Sequence, residues 1–158
     1  MVWDTTGGTF NDRNYLVYTD ETVNENNDTD IEMRTSTDDG ATWTAPVRVN
    51  DDATTNSQFL PYVALDPTSG TVAVGFHDCR NDNGVPGPGG TNTIPNDDAE
   101  YYGTFTTDGG ATWAPNRRLS GECLRQGCPS RHCMWECPAR GQSPSRNTRR
   151  GGRFVFSL

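Results

Sequence analysis

Two eight-residue stretches, STDDGATW beginning at Ser36 and TTDGGATW beginning at Thr106, stand 70 residues apart and are nearly the same. They align Ser36, Asp38, Gly40, Thr42 and Trp43 with Thr106, Asp108, Gly110, Thr112 and Trp113. Such a repeat restricts the chain to folds assembled from similar units, because each copy must meet the same local demands. The flanks match as well. NYLVYTDE (14–21) and TVAVGFHD (71–78) are alternating runs ending in an acid, and DIEMRTS (30–36) and EYYGTFT (100–106) lead into the two motifs. FLPYVALD (59–66) adds a run between the units, with Pro61 near its start, where a strand best tolerates a missing N–H. Period-2 alternation bounded by Gly, Asp and Asn clusters predicts antiparallel strands over 14–20, 30–37, 42–49, 59–66, 71–78, 100–107 and 112–118.

Within S/T-x-D-x-G-x-T-W each residue type has local work to do. Asp38 and Asp108 are placed to accept hydrogen bonds from amides just ahead, as in an Asx turn. Gly40 and Gly110 supply the positive φ that closes a short hairpin loop. Ser36, Thr106, Thr42 and Thr112 bond to groups across the turn, and Trp43 and Trp113 bury a ring whose indole N–H requires a partner. Asp20 to Asp38 spans 18 residues and Asp78 to Asp108 spans 30; the excess falls in NDNGVPGPGGTNTIPNDD (81–98). That stretch is rich in turn formers and predicts a long surface loop. Each unit reads as strand, loop, strand, tight turn, strand, with a fourth strand in front of the second. Antiparallel four-stranded units in tandem are the pattern of propeller blades. The predicted class is all-β, with residues 1–120 forming a partial β-propeller and 121–158 an irregular Arg/Cys-rich tail.

Composition bears on how such units are held together. Leu, Ile, Val and Phe make up only 24 of 158 residues, short of the roughly 20% expected of a globular core. The 21 Thr and nine Trp or Tyr compensate in part, since both types suit a half-buried pleated surface. Fewer than two blades leave outer faces and edge strands uncovered, so a marginal, partly molten or self-associating chain is expected. No apolar stretch approaches the ~18 residues of a membrane span, and MVWDTTGG lacks the basic and apolar regions of a signal peptide. Residues 1–116 carry 19 acids and four arginines, while 117–158 carry two acids and nine arginines. An acidic surface of this kind is not expected to bind nucleic acid.

STDDGATW and TTDGGATW resemble the Asp-box, or bacterial neuraminidase repeat, of the sialidase-like β-propellers. VAVGFHDCRND (72–82) is similar to blade strands of secreted bacterial members. The resemblance covers about residues 10–120 and identifies the chain as a fragment of under two blades. It implies a radial β fold and a secreted or cell-surface parent. It also implies a ligand pocket on one face of the ring, with the Asp-boxes at its periphery, and a parent that binds or hydrolyses glycans. A non-catalytic propeller module for adhesion or protein interaction is the alternative, and a small secreted Asp-box ribonuclease a third. The motif is shared by proteins of unlike chemistry and carries fold more than activity.

Family sialidases clamp the substrate carboxylate with three arginines, use a tyrosine assisted by a glutamate as nucleophile, and use an aspartate as acid/base. The first arginine normally stands in an aromatic-Arg-Ile-Pro motif, which is absent here. Arg13, in NDRNY, has other neighbours and reads as a solvated loop arginine beside the clamp reading. No catalytic residue is assigned. Asp20, Asp78 and Arg80 are candidates for the pocket rim, with a structural salt bridge from Arg80 to Asp78 or Asp82 as the other reading. Tyr101 and Tyr102 read as packing residues. The segment DETVNENNDTD (20–30) gathers Asp20, Glu21, Asn24, Asn26, Asp28 and Asp30, and calcium favours six to eight such oxygens. It lacks the glycine turn and the closing glutamate of an EF-hand. Asp20, Asp28 and Asp30 are therefore weighed as calcium ligands against a solvated loop, and no other cofactor is expected.

Cys123, Cys128, His132, Cys133 and Cys137 crowd the tail. Zinc ligation and disulfides are two readings of them. The favoured third is translation of GC-rich DNA out of frame, in keeping with the absence of lysine from the whole chain.

Overall fold

The computed structural model describes residues 1–21, 28–87 and 90–120. The tail with its cysteine pattern, and Asn24 and Asn26, lie outside the described residues.

Eight strands and no helix are present among the described residues: β1 (Val2–Trp3), β2 (Asn14–Glu21), β3 (Thr29–Ser36), β4 (Val47–Arg48), β5 (Gln58–Leu65), β6 (Val72–Asp78), β7 (Glu100–Thr106) and β8 (Arg117–Arg118). They form two four-stranded antiparallel sheets, ordered β1-β2-β3-β4 and β5-β6-β7-β8. The all-β class and the five long strands follow the sequence reading closely. The two strands expected after the tryptophans do not. Residues 42–49 and 112–118 contribute only two strand residues each, because Pro46 and Pro115 interrupt the ladder just after it begins. Thr44 N still donates to Thr35 O at 3.0 Å, and Ala114 N to Phe105 O at 2.9 Å, before each proline. The first unit also has a fourth strand that the sequence reading missed. It is the two-residue β1, whose hairpin is closed by Asp4 N donating to Arg13 O and Asp12 N to Asp4 O. Pro61 sits at a bulge in β5, where Phe59 faces His77 but Tyr62 already faces Gly75.

Cross-strand register assigns each sheet two faces. Tyr15, Val17, Ile31 and Met33 of the first sheet meet Val63, Leu65, Val72, Val74, Phe76 and Tyr102 of the second in one core. The opposite face of the first sheet carries Leu16, Tyr18, Glu32 and Arg34, with Arg34 Nε donating to Tyr18 Oη at 2.9 Å. The opposite face of the second carries Phe59, Tyr62, Ala64, Ala73, Gly75, His77, Tyr101, Gly103 and Phe105. One outer face is charged and the other is apolar.

Both repeated motifs form the expected turns. In the first, Ser36 Oγ and Thr42 N donate to Asp38 Oδ1 at 2.7 and 2.8 Å, and Thr42 Oγ1 donates to Asp38 Oδ2 at 2.6 Å. In the second, Thr106 Oγ1, Thr112 N and Ala111 N donate to Asp108 Oδ1 at 2.7, 3.0 and 2.9 Å, and Thr112 Oγ1 to Oδ2 at 2.5 Å. The second turn also docks on the first sheet. Gly110 has φ of 92°, and a Cβ there would run into Met33 Cε. Both tryptophans are half-buried, and Trp113 packs against the core. The expected partner for its indole is missing: Trp113 Nε1 is buried with no hydrogen-bond partner among the described residues.

Hydrogen bonds from the Thr42 hydroxyl, the Thr42 amide and Ser36 push the Asp38 carboxyl down to about 2, and the matching contacts push Asp108 lower still. Both lie below the ordinary ~3.9 of an unfolded aspartate. Their contribution to stability is therefore full above about pH 4 and disappears as pH falls through the folded values. Asp108→Asn should lower the thermal midpoint at pH 6, and the gap from the natural chain should shrink steadily between pH 5 and pH 2. A gap that stays constant would contradict this account. Gly110→Ala should cost about 1–3 kcal/mol in urea unfolding, from overpacking against Met33 and a strained positive φ.

Candidate functional site

The strand ends opposite the Asp turns hold the densest polar cluster. The local reason is topological. β2 and β6 run away from the turns and end in Glu21 and Asp78, and β3 and β7 begin beside them with Thr29 and Glu100. Every acid that closes an outgoing strand therefore arrives at this end, together with the segment Asn50–Asp52 that leaves β4.

Arg80 is its organising residue. Its backbone N donates to Asp78 Oδ1 and its Nε to Asp78 Oδ2, both at 2.7 Å. Nη1 donates to Asp51 Oδ1 at 2.8 Å, and Nη2 to Asn116 Oδ1 at 2.9 Å. The guanidinium lies 4.3 Å over the Tyr102 ring, a favourable cation–π geometry. Burial works against the cation, but the hydrogen bonds that Arg80 donates to the Asp78 and Asp51 carboxylates outweigh it and keep the group charged. The two chain segments are tied together in the same place. Asp51 N donates to Asn116 Oδ1 at 2.9 Å, and Asn116 N to Asp51 Oδ2 at 2.8 Å.

A second, buried layer lies beneath. Asn50 Nδ2 stands 2.7 Å from Asp30 Oδ1, 2.9 Å from Asp52 Oδ1 and 2.7 Å from Gln58 Oε1, while its Oδ1 accepts from Ile31 N. Gln58, fully buried, donates to Asp78 Oδ1 at 3.2 Å. Arg48 pairs with Asp30 at 2.7 Å. For Asp52, burial raises the carboxyl, but hydrogen bonds from Thr54 and Asn50 and the Arg80 charge hold it below the usual range. The network carries both charges of each buried pair with hydrogen bonds on most oxygens, the condition under which a buried ion pair is tolerated.

All three rim candidates, Asp20, Asp78 and Arg80, stand at this end. Asp20 is exposed at the end of β2, opposite Asp30 in register, and its Oδ1 accepts from Glu21 N. Asp78 and Arg80 are bound to each other as the salt-bridge reading expected; Asp82 is not part of that pair. Arg13 is at the other end. It donates to Gly109 O at 2.8 Å in the second Asp turn and packs over Phe10, beside a hollow lined by Met33, Thr44, Val47 and Gly110. Arg13 and Arg80 therefore do not converge on one ligand. Tyr102 is buried under Arg80 with its hydroxyl accepting from Asn81 at 2.8 Å, and Tyr101 lies on the opposite face of the sheet across Gly75. Burial raises both phenols.

Among the described residues, Asp20, Asp28 and Asp30 form no group of three converging carboxylates. Asp30 pairs with Arg48 and accepts from Asn50, and Asp20 Oδ1 accepts from Glu21 N. The carboxylates that do converge among the described residues are Asp82, Asp97 and Asp98, within 4.8 Å of one another in the long loop. Asp82 Oδ2 accepts from Asp97 N and Asp98 N at 2.8 and 2.9 Å, and Asp98 Oδ2 accepts from Thr91 N and Oγ1. These oxygens already tie the loop to itself.

Sequence reasoning missed Asn50, Asp51, Asp52, Gln58 and Asn116. The signal available was VRVNDD (47–52), a polar run closing the first unit where the second has RRLSGE (117–122). Compared with known proteins, the chain matches no family model and no curated protein. No helix among the described residues is long and apolar enough to cross a membrane.

The side chain of Asp78 is wholly buried. Arg80→Ala should therefore cost about 3–5 kcal/mol in urea unfolding, because it strands that carboxylate without its cation. Arg118→Ala removes a more exposed partner of Glu100 and should cost less than about 1 kcal/mol. Equal losses for the two substitutions would contradict a structural role for Arg80.

Proposed function

We propose that this chain supplies two blades of a sialidase-like β-propeller, in a secreted or cell-surface protein, and that its polar end takes part in glycan binding. The observation that carries the reading is the division of the molecule. Two sheets of the same four-stranded design close one end with matching Asp turns, and gather their acids, amides and arginines at the other. Half-exposed Arg48 and Asp51, with Asn81 and Glu100 at the same end, present donors and acceptors that are fixed from beneath. A polyhydroxylated ligand is recognised by such pre-oriented hydrogen-bonding groups.

The chain's own part in this reading is binding, not hydrolysis. Arg80 Nε, Nη1 and Nη2 each donate to acceptors inside the protein, and Arg13 stands at the opposite end, so the two do not converge on one carboxylate clamp. That same observation favours the second reading, a non-catalytic propeller module for adhesion or protein interaction.

The test is a panel of immobilised sialylated and neutral glycans probed with the purified 158-residue chain, beside turnover of a fluorogenic sialoside. Binding to a subset of glycans, weakened by Asp51→Ala or Arg48→Ala, together with no turnover, is the expected result. Binding unaffected by either substitution, or none up to about 1 mM glycan, would favour the protein-interaction reading. Turnover abolished by Arg80→Ala would overturn the assignment of Arg80 to structure.

A further inference from the structure

The two sheets are related by the 70-residue repeat, and the relation extends to their faces. Ser36 aligns with Thr106, which places Ile31, Met33 and Thr35 on Tyr101, Gly103 and Phe105. Strand pairing then carries Tyr15, Val17 and Thr19 onto Ala73, Gly75 and His77. In the first sheet these positions are the face that the second sheet covers. In the second sheet the same positions form the outward face, and no described residues are layered over it as a further sheet.

That outward face is built as an interface. Phe59 stacks on His77 with ring centroids 5.5 Å apart, and Tyr101 meets His77 edge-on at 5.2 Å. Tyr101 lies flat across Gly75 and Leu119 across Gly103, positions where a Cβ would collide with them. Around this flat centre stand Tyr62, Phe105, Leu119 and the bulged Leu60, each 45–66% exposed. Arg117, paired with Gly103 at the β8 edge, is the only formal charge in register on this face. An acidic chain thus clears one sheet face of acids and fills it with aromatics, which is the composition of an interface core.

The charge pattern decides what covers it. A second copy stacking head to tail would bring the outer face of its first sheet, with Glu32, Arg34 and Tyr18, onto these rings. That would bury the Arg34 guanidinium against a face with no acid in register, and would leave Glu32 only the edge residue Arg117 as a partner. Pairing of the two aromatic faces about a two-fold axis buries no acid, leaves Arg117 at the β8 edge of each copy and closes the assembly. We infer that the outward face of the second sheet is a self-association surface, occupied by the same face of a second copy of this chain. The inference rests on the repeat and the two faces and is independent of any glycan reading.

The test is sedimentation equilibrium of the full chain in reductant across about 1–100 μM. A monomer–dimer equilibrium is expected, and Phe105→Asp and Tyr62→Asp should each weaken it at least about tenfold, with the circular dichroism of the sheets retained. Val85→Asp replaces a more exposed apolar residue on the long loop, outside the strands that make the face, and should leave the dimer intact. A monomer at all concentrations would overturn the inference. So would a dimer that survives both face substitutions, or open-ended growth that Glu32→Gln alters. A monomeric chain destabilised by Phe105→Asp would instead show that its own residues cover the face, and would overturn it equally.

Discussion

The carboxylate of Asp108 is the contact on which most of the described structure depends. Alone, it orders a hairpin: two hydroxyls and two amides converge on its oxygens, and the chain reverses within a few residues. Its consequence is larger than the turn. The backbone it fixes presents Gly109 O to Arg13 and Gly110 to Met33, so the turn of the second sheet seats on the face of the first. A local hydrogen-bonded loop thereby sets the distance between two sheets whose aliphatic content is low. The first turn is wired through Asp38 in nearly the same way, with Ala41 N donating to the Asp38 main-chain O instead of its carboxylate, but among the described residues no further sheet lies beyond it to seat on, so one sequence motif does two jobs in one place and a single job in the other.

Opposite the turns, cohesion comes from charge instead of apolar area. Arg80, Asp78, Asp51 and Asn116 tie the β4–β5 segment to the segment leading into β8, and Asn50 and Gln58 carry the connection inward to Asp30. The molecule is thus clamped by a packed turn at one end and by an ion and amide network at the other. This division bears directly on function. A guanidinium that holds four partners is a beam, and whatever the polar end binds must be recognised by groups other than that guanidinium, such as the half-exposed Arg48 and Asp51.

The faces of the two sheets differ for a related reason. Val74 and Phe76 stand where Leu16 and Tyr18 stand in the first unit, and Tyr102 and Thr104 where Glu32 and Arg34 stand. The repeat preserves turn residues almost unchanged because their geometry is demanding. It lets face residues drift to charge or to aromatics according to what covers them.

The turns, the five long strands and the all-β class were legible in the sequence, because each depends on neighbours within a few positions: alternation for the strands, and Asp, Gly and Thr at fixed offsets for the turns. Where the reading failed, a short local interruption or a distant partner decided the outcome. Pro46 and Pro115 cut the fourth strands to two residues, and β1 was too short to show any alternation. Asn50, Gln58 and Asn116 looked like ordinary polar residues, since nothing near them in the chain reveals that Asp30, Asp78 and Asp51 converge on them from other strands. Arg13 and Arg80, alike as loop arginines in the sequence, are parted to opposite ends by strand direction alone. The sequence by itself determined the turns and the repeat, which are governed by backbone geometry over short spans. Only the tertiary structure decided which charges neutralise one another and which sheet face stays open, because both depend on distances between segments that local sequence does not encode.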